Sequence, residues 1–134
     1  MTGYWVDLGN SASTGHFVLG EPLNGRNRRS RNRLRTVAEL FNEIVDPTLD
    51  DDNEPSCSAI EALSRQECFV NGALAQHALA LLARLFRYGE ISYHGAFVDV
   101  GTARSTPLPI DPTVWRRLRK RKARTAAGMK ATAA

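Results

Sequence analysis

Cysteine is scarce in this chain, which holds only Cys57 and Cys68 among its 134 residues. Two thiols build no disulfide framework for a domain of this length. They read as small hydrophobes in a reducing, intracellular setting. Long apolar runs are missing too. The most apolar stretch, Ala73 to Tyr88, is broken by His77 and Arg84 and falls short of a membrane span. The opening residues Met1-Thr2-Gly3-Tyr4-Trp5-Val6-Asp7 lack the basic start and apolar run of a secretory signal. There is no glycine-rich phosphate loop, no zinc-spaced ligand quartet and no nucleophile elbow. Nothing therefore points to an enzyme, a metal or another cofactor, and a cytoplasmic protein, with the nucleoid as one place of action, is the expectation.

What is present is ordinary in amount and unusual in placement. A hydrophobic fraction of 43% and a charged fraction of 24% suit one folded domain with a sizeable core. The net charge of +4 conceals a strong segregation. Residues 1–35 carry six arginines against Asp7 and Glu21. Residues 36–115 carry four arginines against twelve acids, a net of −8. Residues 116–134 carry eight basic residues and no acid, a net of +8. Basic ends around an acidic middle suggest a polyanionic partner, or basic ends that dock on acidic protein surfaces.

Along the chain, residues 1–25 alternate weakly through Tyr4, Val6, Leu8, Phe17 and Leu19 around a Gly/Ser-rich stretch, which fits an extended arm or a loose hairpin equally well. Arg26 to Arg35 follows, rich in forked donors suited to phosphate and free of aromatics. Leu34, Val37, Ala38, Phe41, Ile44 and Val45 predict a helix over 33–45, stopped before Pro47. The acidic run Asp50-Asp51-Asp52 lacks the spacing of a calcium loop and reads as solvated. Ser58 before Glu61 and Ser64 before Glu67 are capping signatures. The second is expected to start a helix that continues through Gly72 into the central stretch, where Leu74, Ala78, Leu81, Leu82 and Leu85 share one face, and Gly89 ends it.

Glu90 to Val100 then predicts a strand, residues 101–106 a polar loop and Pro107 to Ile110 a short return. Helix, strand, loop and return strand is the local order of a winged helix, an analogy of fold order alone. Asp111-Pro112 reads as the start of a last helix, anchored by Val114, Trp115 and Leu118. The histidines His16, His77 and His94 find no partners at sequence level. The expected fold is mainly α with a small β-hairpin (α+β): a single helical domain over 26–115 with a wing-like strand pair, and a basic helix end and tail over 116–134.

The function these features favour is nucleic-acid binding, to DNA ahead of RNA, through phosphate contacts. The candidate residues are Arg26, Arg28, Arg29, Arg31, Arg33 and Arg35 in the arm and Arg104 near the wing tip. In the tail they are Arg116, Arg117, Arg119, Lys120, Arg121, Lys122 and Arg124. The alternative is a structural or adaptor subunit, of a virion- or ribosome-associated kind, with a homodimer seam along the alanine-rich helix face.

Overall fold

Thr14 to Gly20 reads Thr-Gly-His-Phe-Val-Leu-Gly, and its last five residues are all buried. A strand without a solvent side belongs in the middle of a sheet covered on both faces. The computed structural model of the protein describes residues 3–41 and 69–120, and in it Thr14–Gly20 is an inner strand. The elements are β1 (Trp5–Asn10), β2 (Thr14–Gly20), α1 (Val37–Leu40), α2 (Val70–Tyr88), β3 (Tyr93–Asp99) and β4 (Arg104–Pro109). Residues 112–120 are helical as well and are called α3. The four strands form one antiparallel sheet in the order β1-β2-β3-β4.

The register assigns each side chain to a face, because directly opposed residues of an antiparallel pair point the same way. Phe17, Leu19 and Ala96 lie on the face that receives α2. There Leu74, Ala78 and Leu81 are buried, and the His77 ring stacks nearly parallel to Phe17 at 6.3 Å. His16, Val18 and Gly20 point to the opposite face, covered by residues 33–41. Gly20 is required there: a Cβ would stand 2.6 Å from the Cα of Thr36. Phe41 ends this cover edge-on to Phe97, with ring centroids 5.2 Å apart.

These observations correct the expectation of a mainly helical core with a small wing. Strand and helix contents are comparable among the described residues. The presumed wing is one half of the sheet, with β3 hydrogen-bonded on both sides and β4 at the edge. Arg104 to Thr106, read as loop, already belong to β4. The N-terminal segment forms a hairpin built into the same sheet.

Over 33–41 the helix expected over 33–45 is also corrected, since α1 is one turn of four residues, and residues 42–45 lie outside the described residues. Two contests decide this. Leu34 is held extended, its N–H donating to the Glu21 carboxylate and its carbonyl accepting the Glu21 N–H. Thr36, with ψ of 163°, starts the turn in a capping box with Glu39, and Phe41 leaves helical geometry at ψ of 71°. The apolar residues here repeat because the segment lies across the sheet.

The helix α2 contains Gly72 and ends at Gly89, whose N–H donates to the Leu85 carbonyl, but it begins at Val70 after Phe69 with a left-handed φ of 70°, so it is not the continuation of a helix started at Ser64. The capping pairs Ser58/Glu61 and Ser64/Glu67, the acidic run and both cysteines lie outside the described residues. No helix among the described residues is long and apolar enough to cross a membrane.

Candidate nucleic-acid interface

The arginine-rich segment after β2 is a knitted turn, and its asparagines do the knitting. The side-chain carbonyl of Asn24 accepts the N–H groups of Arg26 and Asn27, at 2.9 and 3.0 Å. Asn27 is buried: its Oδ1 accepts the Asn24 N–H at 2.8 Å and its Nδ2 donates to the Pro22 carbonyl at 2.9 Å. Such side-chain bonds to local backbone stabilise turns at the expense of helix. The turn leaves Arg26, Arg28, Arg29 and Arg31 exposed, and no carboxylate among the described residues lies within ion-pairing distance of them. Asn27→Ala removes both ties and is expected to speed limited trypsin cleavage at these arginines several-fold, with the rest of the fold intact. An unchanged digestion pattern would show that Asn27 does not hold the turn.

Arg33 and Arg35 belong to a different structure. The Arg33 side chain is 1% exposed and lies against Glu39 in a two-armed ion pair, while Nη1 also donates to the Glu21 carbonyl at 2.6 Å. Its Nε–H is buried with no partner among the described residues. Arg35 reaches the same carboxylate at 3.5 Å from the edge. Burial pushes the Glu39 carboxyl upward, but the hydrogen bonds from Arg33 and Thr36 and the charge of Arg33 outweigh it and hold the group at about 2. Arg33 is thus a structural cation and offers nothing to a phosphate.

At the other end of the chain, Asp111 caps α3 by accepting the Thr113 N–H at 2.7 Å, as the Asp-Pro start leads one to expect. Arg116, Arg117, Arg119 and Lys120 are exposed on it, and Arg121, Lys122 and Arg124 lie outside the described residues. Trp115 is buried and donates its indole N–H to Nε2 of His94 at 3.0 Å. An indole can only donate, so Nε2 accepts and the His94 proton sits on Nδ1, where it is given to the Leu19 carbonyl at 2.8 Å. His94 is wholly buried at an irregularity in the β3–β4 pairing. Burial lowers its pKa from the ordinary 6.5, against the opposing bond to Leu19, and keeps the ring neutral.

This clasp and the sheet topology bring two distant basic segments together. β2 and β4 are both antiparallel to β3, so Gly20 and Pro109 leave the sheet at the same end. With one strand between them, the two exits stand ~10 Å apart. The arginine turn starts just after the first and α3 just after the second. His94 ties Trp115 to Leu19, one residue before that exit.

Arg104 sits at the opposite end of the sheet, paired across the ladder with Asp99. It borders a groove of about 540 Å³ between the two hairpin turns, lined also by His16, Phe97 and Thr106. Nε2 of His16 lies 2.9 Å from the Asp7 carboxylate. Among the described residues no cluster of three or more His, Cys, Asp or Glu side chains is arranged to hold a metal ion.

The structural roles of Asn24, Asn27 and His94 escape a reading of charge and period, whereas Trp115 is buried as the expected anchor of the last helix. A signal was available for Glu39, since Thr36-Val37-Ala38-Glu39 has the spacing of a capping box. No family model matches the chain, and no curated protein or solved structure matches it either.

Proposed function

We propose that the protein binds nucleic acid, DNA in the first place, through the phosphate backbone, and does so in the cytoplasm or on the nucleoid. The observation that carries this reading is that the turn bearing Arg26, Arg28, Arg29 and Arg31 and the helix bearing Arg116, Arg117, Arg119 and Lys120 both follow strands that leave the sheet at the same end. Exposed guanidinium groups with no carboxylate within ion-pairing distance among the described residues are available to phosphates, and each phosphate neutralised releases counterions.

The test is the salt dependence of binding to a DNA duplex. The logarithm of affinity should fall linearly with the logarithm of salt concentration, and removing residues 116–134 should flatten the slope. Arg33→Lys is expected to leave the slope unchanged wherever the variant folds, because Arg33 is buried. An interaction that is absent or insensitive to salt overturns the proposal.

A second reading, an assembly subunit, is favoured by a different observation. The outer side of α2 exposes Leu79 at 59% and Phe86 at 77%, separated by the small residues Ala80 and Ala83. Light scattering separates the two readings: salt-resistant oligomers with no affinity for nucleic acid favour the second.

A further inference from the structure

The groove at the hairpin-turn end is made by the sheet itself. Its floor is one row across the ladder, Gly9, His16, Phe97 and Thr106, which face each other in register. Gly9 lets the His16 ring lie on the β1 backbone, where a Cβ would come within 2.5 Å of the imidazole. That ring is fixed by its bond to Asp7 and stands 6.2 Å from Phe97 at a tilt of 43°. Phe97 is 37% exposed although it is on an inner strand, with the Phe41 ring perpendicular to it at 5.2 Å. The next row towards the turns holds Asp99 opposite Arg104.

An aromatic ring left open on a groove floor calls for a flat apolar partner, and a guanidinium one row away calls for an anion. A nucleotide joins the two at about that separation. Asp99 beside Arg104 disfavours a polyphosphate and limits the site to a single phosphate. A base inside a duplex is stacked on its neighbours and cannot reach the floor, whereas an unpaired base presents its full face.

We propose that this groove takes one unpaired nucleobase, stacked on Phe97, with the adjoining phosphate held by Arg104. The inference rests on the nucleic-acid reading above and adds to it a preference for single-stranded segments.

The experiment is fluorescence anisotropy on the full chain, with a labelled single-stranded DNA of about eight nucleotides and a duplex of the same length. Phe97→Leu keeps an apolar side chain, of somewhat smaller volume, and removes the π face. Phe97→Tyr keeps the aromatic ring, and circular dichroism confirms that each variant folds. The expected result is a loss of about tenfold in single-strand affinity for Phe97→Leu and Arg104→Ala, with Phe97→Tyr close to the original protein. Duplex affinity is expected to be unchanged by Phe97→Leu. Equal single-strand affinity for Phe97→Leu and the original protein, with salt-dependent binding retained, overturns the groove proposal and leaves the phosphate-binding reading standing. No binding to either probe overturns both.

Discussion

Glu39→Gln is expected to lower stability by about 3 kcal/mol, whereas Arg35→Ala costs about 0.5 kcal/mol or less, although both substitutions disrupt the same carboxylate. The asymmetry follows from where the two arginines are. Arg33 is almost fully enclosed, so its charge cannot return to water when Glu39 is neutralised, and its Nε–H already lacks a partner among the described residues. Arg35 is partly exposed, contacts Glu39 at 3.5 Å, and is screened. Glu39→Gln also weakens the capping of α1, where the carboxylate accepts the Thr36 N–H at 3.0 Å.

The pH dependence has a definite sign. The folded carboxyl titrates near 2 against an ordinary 4.5, so its contribution is fully present above about pH 5 and is lost as the pH falls towards 2. Urea denaturation of the original protein and both variants, at pH 7 and at pH 3, measures this. The stability gap between the original protein and Glu39→Gln should narrow at pH 3. Equal losses for Arg35→Ala and Glu39→Gln would show that Arg33 is not a stranded charge.

The difference between sequence reading and structure lies in what each residue type signals. Helix α2 is legible because Leu74, Ala78 and Leu81 are buried on one face and the turns between them are uniform. The stop at Gly89 and the cap at Asp111 are legible because they are local chemistry. β2 is hard to read because it is covered on both faces, so hydrophobic and polar positions do not alternate along it. The segment 33–41 repeats its apolar residues at helical spacing, yet a pair thirteen residues apart, Glu21 with Leu34, holds its start extended, and helical periodicity carries no sign of that pairing.

The arginines are visible as a class, but their division into structural and exposed members depends on burial. Arg33 and Arg31 look alike in sequence, and only the first meets Glu39 under cover. The convergence of the arginine turn with α3 depends on strand order, and the His94–Trp115 contact that secures it spans residues from two separate elements.

Trp115→Phe is expected to cost about 1–3 kcal/mol, and Trp115→Ala about 3–5 kcal/mol. The smaller change leaves Nε2 of His94 buried without its donor, and the larger one adds a cavity beneath α3. Acid should reproduce the smaller effect without mutation. Protonated at both nitrogens, His94 can no longer accept the Trp115 N–H, so the ring and the indole oppose each other. Because the folded pKa lies below 6.5, the unfolded chain takes up the proton first. Stability is then full above pH 6.5 and declines as the pH falls below it. His94→Gln, which does not titrate, should abolish that decline, and a flat stability profile between pH 7 and pH 5 in the original protein would refute the assignment. The same clasp ties the helix that carries Arg116, Arg117, Arg119 and Lys120 to the sheet end from which the arginine turn departs. On the phosphate-binding reading, Trp115→Phe should therefore weaken duplex DNA binding at pH 7 while removing no charge. Hydrogen exchange over residues 112–120 should rise in step with that loss, because a basic helix that has left the sheet contacts phosphates only after paying the entropy of being ordered again.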